Sequence, residues 1–164
     1  FFRFLNKLGR PIKMDENIIY FYDLPSERVR EENIYLNNYF VSPFMIGGKE
    51  YQTVEHFYQA NKYADHDTYE MIRNCATPDQ AKKLANSMEF DKENWIERKD
   101  EVMMRGLWAK FLQHPELKEK LLETGDKILI EDSAKDAYWG GVLEGSRNRL
   151  GEMLMEIRVK LRSD

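Results

Sequence analysis

The amino-acid sequence predicts an α+β fold, predominantly helical, built as one compact domain with a few short strands. Three observations predict it. Apolar residues recur at helical spacing through most of the chain from residue 54 onward, whereas runs of β-branched and aromatic residues are few and short. The length of 164 residues, 42% hydrophobic and 33% charged, suits one continuous core, and no shift in composition divides it. Residues 1–16 are expected to form an amino-terminal arm and residues 17–164 the domain.

Each element has its own local cause. The arm mixes Phe1, Phe2, Phe4 and Leu5 with Arg3, Lys7, Arg10 and Lys13 around Pro11, and no chemistry attaches to it. Because it opens on Phe1 instead of Met, the chain is expected to be a processed or excised piece. Residues 17–23 hold Ile18, Ile19, Tyr20, Phe21 and Tyr22 ahead of Pro25, a short strand. Residues 27–32 carry five charges in six positions and are expected to be an exposed loop. Gly47-Gly48 between Ile46 and Tyr51 marks a hairpin. Helices are expected over residues 54–64, 67–74, 77–86 with Pro78 in its first turn, 95–112 and 115–122. In the fourth of these, Ile96, Met103, Leu107 and Phe111 repeat at helical spacing and should be buried. Residues 127–131 read as a second strand, 132–148 as a loop, and 150–161 as a helix with a core stripe of Leu150, Met153, Leu154, Ile157 and Leu161.

Composition narrows the function. A net charge of -4 and a pI near 5.5 make bulk attraction to a polyanion weak, so any nucleic-acid contact should be local. Cys75 alone rules out an internal disulfide; it is expected to be a small buried hydrophobe in a reducing, cytoplasmic setting. No apolar run approaches the roughly 18–20 residues of a membrane span. His56, His66 and His114 lack the spacing of a metal-binding helix, no Gly-x-Ser-x-Gly elbow is present, and Gly47-Gly48-Lys49 lacks the second glycine of a phosphate loop. No metal and no cofactor is expected.

Attention then falls on residues 51–63, Tyr-Gln-Thr-Val-Glu-His-Phe-Tyr-Gln-Ala-Asn-Lys-Tyr. Thr53 can cap a helix in which Glu55, Gln59 and Lys62 share one face and Phe57, Ala60 and Ala64 the other. An ordinary solvated helix face would look the same. Downstream, Asp136, Trp139 and Asn148 lie in a loop rich in glycine, with Arg147 and Arg149 flanking Asn148 just before the last helix, whose amides could receive a phosphate. Carboxylates, one lysine, asparagine and aromatics suit chemistry at a glycosidic carbon: a carboxylate stabilises the oxocarbenium-like centre while water attacks, or a desolvated lysine forms a Schiff base with the opened sugar. The alternative is a turn-capping Asp136 and a core-filling Trp139.

These stretches resemble the NADAR, or YbiA-like, family. The resemblance rests on Tyr51, Thr53, Val54, Glu55, His56, Tyr58, Gln59, Ala60 and Lys62; on Trp95, Met103, Lys110 and Phe111; on Leu121, Leu122, Thr124, Gly125 and Asp126; on Glu131, Asp136, Trp139 and Gly140; and on Gly145, Asn148, Leu150, Gly151, Leu154, Met155 and Arg158. It covers about residues 18–161. The sequence departs from the family pattern at Asn37 and Tyr39, where a Leu-Ser-Asn-Phe run is usual, and in the loop 141–147, which lacks a tryptophan before Gly145. The resemblance implies an N-glycosidase acting on ribose, with Glu55 and Asp136 as catalytic carboxylates and Lys62 as the Schiff-base amine. It implies substrate contacts from Asn38, His56, Gln59, Trp95, Trp139, Gly140, Arg147, Asn148 and Arg158. The substrates it points to are ADP-ribosylated guanine in DNA or RNA, with an ADP-ribosyltransferase toxin as counterpart, or early riboflavin-pathway intermediates. A silent module that only binds ADP-ribose is the rival from another class.

Overall fold

A computed structural model describes residues 8–10 and 14–163. Most of the expected arm at residues 1–16 lies outside the described residues. By internal packing the chain forms two compact units, one of residues 38–120 and one of the chain up to Asn37 together with Leu121 onward.

In the first unit a hairpin, β2 (Phe44–Ile46) and β3 (Lys49–Tyr51), pairs antiparallel with Ile46 opposite Lys49. Gly47 and Gly48 take φ of 59° and 77°, which a two-residue turn between right-twisted strands requires. The outer edge of β2 is closed by one side chain: the Gln113 amide accepts from Met45 N–H and donates to Met45 C=O, both at 2.8 Å. Four helices follow, α1 (Val54–Ala60), α2 (His66–Arg73), α3 (Pro78–Asn86) and α4 (Lys92–Gln113). Each is capped by the residue before it: Thr53, Asp65, Thr77 and Asp91 accept from an amide one turn in, at 2.9–3.1 Å.

Every residue of α1 is buried. Phe57 meets Tyr51 edge-on at 4.9 Å and Phe44 at 6.0 Å, which seats the helix on the hairpin. On another side α4 approaches through Gly106, where a Cβ would stand 3.0 Å from the Phe57 ring and 3.2 Å from Val54. Tyr63, Ile72, Ala81 and Ala85 gather around Ala60 to close a third side.

In the second unit β1 (Ile18–Phe21) pairs parallel with β4 (Ile128–Glu131), Ile18 opposite Ile128. The final helix α6 (Arg149–Arg162) buries Leu150, Met153, Leu154, Ile157 and Leu161, as its spacing predicts, and packs on β4 with Gly151 against the Leu129 carbonyl. Between the units in sequence runs α5 (Pro115–Glu123). No helix is long and apolar enough to cross a membrane among the described residues.

Four local expectations need correction. Helix α1 stops at Ala60, not at residue 64, because the Asn61 side chain takes the Phe57 carbonyl at 2.7 Å and competes with the next helical bond. Ile96 is 66% exposed, since the buried stripe of α4 begins with Trp95 and resumes only at Val102. The charged segment 27–32 is not simply an exposed loop: Val29 is buried, and a 3₁₀ helix starts at Glu31 and runs to Leu36. Cys75 is half-buried, packed against the Ile72 cluster instead of within it.

Candidate active site

The cap at Thr53 aims α1 so that Glu55 enters in its first turn, and burial then removes the carboxylate from water: Glu55 is 4% exposed and Gln59 3%. An amphipathic surface helix would leave both wet, so the solvated-face reading of this stripe fails. The i,i+4 spacing places Gln59 Nε2 at 2.7 Å from Glu55 Oε1. The second oxygen, Oε2, accepts from the Asn38 side-chain amide, and the Asn38 carbonyl accepts from Glu55 N–H at 3.0 Å. Two amide NH₂ groups thus fix the two oxygens of one buried carboxylate, each bond to a charged acceptor being among the stronger kind. Asn38 and Gln59, both expected to touch substrate, hold Glu55.

Lys62 follows in the turn after α1, its amide bonded to the Gln59 carbonyl at 3.3 Å. Its ammonium lies over three rings, Phe90 at 5.1 Å, Tyr58 at 5.6 Å and Trp95 at 5.9 Å. Burial pushes its pKa below the ordinary lysine value; Glu55 opposes that shift and Lys82 adds to it. Trp95, expected to bind substrate, is 5% exposed and forms one wall around this amine, meeting Tyr58 edge-on at 4.9 Å.

His56 has no free nitrogen. Nδ1 bonds Thr53 Oγ1 at 2.8 Å, Nε2 bonds the Cys75 carbonyl at 2.9 Å, and the residue is fully buried. Burial depresses its pKa. His56, expected to touch substrate, ties the cap of α1 to the end of α2.

The other expected residues lie in the second unit. Asp136 Oδ1 accepts from Tyr138 N–H at 2.9 Å and Trp139 N–H at 2.8 Å, so one carboxylate oxygen caps its own turn. Trp139 is half-buried and meets Tyr138 edge-on at 4.9 Å, while exposed Arg147 lies over Tyr138 at 5.4 Å. The loop is stitched shut by Arg147 N–H to Ala137 C=O and Asn148 N–H to Gly140 C=O, both 2.8 Å. Gly140 sits where a Cβ would strike Ser133 and the Asp136 carbonyl, so it serves the turn. Asn148 stands at φ 56°, with Nδ2 donating to Leu129 C=O at 2.8 Å and Oδ1 accepting from Glu131 N–H at 3.1 Å. Arg158 is buried and donates Nη1 to Thr124 Oγ1 and the Lys127 carbonyl, both 2.8 Å. Both side chains, expected to bind substrate, hold β4 and its approach through these bonds.

Residues 20–162 match the NADAR domain. The chain belongs to the NADAR family. Among its relatives is the N-glycosidase YbiA of Escherichia coli strain K12, 39% identical over 127 residues, which are 76% of this chain and 79% of that protein. A second is the N-glycosidase Npun_R5314 of Nostoc punctiforme, 37% identical over 116 residues, 68% of this chain and 74% of the other. A third, the riboflavin biosynthesis protein VVA0006 of Vibrio vulnificus, is 35% identical over 148 residues, 89% of this chain but 39% of its own length. The NMR structure of E. coli YbiA superposes with a TM-score of 0.76 at 36% identity, covering 92% of this chain and 88% of that one.

For this NADAR chain, residue reading missed two features of the first unit. Phe90 is the ring nearest to Lys62, yet it follows α3 with no periodic neighbour to single it out. Lys110 is a fully buried lysine, its pKa pushed down to about 7 by burial alone. Lys110 is completely enclosed, whereas Lys62 is half-buried.

Proposed function

We propose that this NADAR N-glycosidase hydrolyses the bond between ADP-ribose and guanine in modified nucleic acid, with Glu55 and Lys62 at the centre of the reaction. The observation that supports this reading is the pairing of a buried carboxylate, fixed by Asn38 and Gln59, with a desolvated amine in the following turn that feels its charge. Glycosidic cleavage develops positive charge at the sugar carbon, which a fixed carboxylate in a dry site stabilises before any reorganisation is needed. A lysine whose charged form is disfavoured has a lone pair ready to take up that carbon.

The test is an oligonucleotide carrying ADP-ribosylated guanine. Release of ADP-ribose and unmodified guanine by the wild type, with loss on Glu55→Ala and on Lys62→Ala, is the expected result. No release by wild type, or undiminished release by either variant, overturns the reading.

A second reading draws support from the relative named for riboflavin biosynthesis. On it the same groups cleave the N-glycosidic bond of early pyrimidine intermediates of that pathway. Feeding both substrates in parallel separates the two, since the preferred one gives the higher kcat/KM.

A further inference from the structure

The rings around Lys62 form a built enclosure. Tyr58 comes from α1, Trp95 from α4, and Phe90 from the segment between α3 and α4. Tyr63, the next residue after Lys62, meets Phe90 at 6.0 Å and 68°, and its hydroxyl donates to the carbonyls of Ala85 and Met88. The turn bearing Lys62 is therefore pinned to the stretch bearing Phe90. Arg98 also lies over Trp95, at 5.5 Å, with Nη2 held on the Asn61 carbonyl, so the attraction of that indole is divided between two cations.

Two effects act on the nitrogen in opposite directions. Removal from water disfavours any charged form, and Lys82 on α3 adds repulsion, while Glu55 on α1 and the faces of the rings favour a cation. An amine that begins uncharged and becomes charged only by reaction gains the ring attraction at that step.

We propose that Phe90, Tyr58 and Trp95 form an aromatic box that stabilises the iminium created on Lys62 during turnover, with Phe90 contributing most. This rests on the Schiff-base form of the function proposed above. The lone pair of Lys62 Nζ forms a bond to the anomeric carbon as the bond to the base breaks, its electron pair leaving with the base, which takes a proton. Nζ loses a proton, the ring C–O bond opens with its pair going to oxygen, which is protonated, and Nζ becomes doubly bonded and positive. Water adds to that carbon and expels the amine, leaving the free sugar. Above the midpoint of Lys62, the box faces an atom that changes from neutral to positive.

The experiment uses the full chain with Phe90 replaced by mono-, di- and trifluorophenylalanine, which keep ring size while weakening the negative face. The probe is D-ribose 5-phosphate with cyanoborohydride, and the adduct on Lys62 is followed by mass spectrometry, with Lys62→Arg as the blank and circular dichroism to show the fold is intact. At pH above the midpoint of Lys62, the trapping rate is expected to fall stepwise, about tenfold across the series. Below that midpoint the effect should vanish, because reactant ammonium and product iminium are then both positive. A flat series at alkaline pH with wild-type trapping intact overturns the box alone. Absence of any Lys62 adduct in wild type, with this probe and with the modified oligonucleotide, overturns the Schiff base and the box with it.

Discussion

Replacing His56 by alanine discriminates between a residue that frames the site and one that touches substrate. The substitution removes the ring partner of the buried Thr53 hydroxyl, which keeps only the backbone N–H of residue 56, and that of the part-buried Cys75 carbonyl, and it empties the volume of a fully buried ring. A stranded buried partner costs about 1–3 kcal/mol, and the cavity adds to that, so a loss of about 3–5 kcal/mol is expected. For a domain of this size that is a fall in Tm of about 10 °C. The pH dependence gives a second reading. Burial depresses the His56 pKa in the folded chain, so below about pH 6.5 the unfolded chain binds a proton that the folded chain refuses. Stability is therefore whole above the unfolded pKa and is lost as pH falls toward the folded one. Urea unfolding at about pH 7.5 and about pH 5.5 should show that slope in wild type and less of it in His56→Ala. Turnover of molecules that remain folded should be little changed. A stability loss under about 0.5 kcal/mol, or a large fall in kcat at unchanged stability, would refute the framing role.

Other outcomes follow from the same contacts. Gln59→Leu leaves Glu55 Oε1 without its 2.7 Å donor inside the protein, at a cost of about 1.5–3 kcal/mol, and should lower kcat more than it raises KM; steady-state kinetics beside thermal unfolding will show whether both change. Gly151→Ala drives a methyl into the Leu129 carbonyl and the Asn148 amide, so it should cost at least about 2 kcal/mol, whereas Gly106→Ala meets only side-chain atoms at 3.0–3.2 Å and gains helix propensity of about 1 kcal/mol, leaving it near neutral by calorimetry. Lys110 sheds its proton near pH 7 when folded and near 10.5 when unfolded, so the unfolded chain binds more protons between those values and stability should rise with pH across that window. Lys110→Met should flatten the rise, and an unaltered slope would contradict the assignment.

Local rules carried much of the fold. The capping residue Thr53, Pro78 in the first turn of α3, the Gly47-Gly48 turn and the stripe from Leu150 to Leu161 act through neighbours one turn away, so the sequence alone located these elements. It also put Glu55 and Gln59 on one helical face, because that relation depends only on the 3.6-residue period. Tertiary packing decided whether the face was wet or dry: the hairpin, α3 and α4 enclose α1, and no property of residues 54–60 announces their approach. It decided that Asn38 would reach Glu55 across seventeen positions, that Phe90 would cover Lys62, and that His56, Asn148 and Arg158 would bond to distant parts of the frame. Burial and long-range hydrogen bonds depend on which segments meet in space, and a residue's chemistry, unlike its helical phase, is fixed by that company.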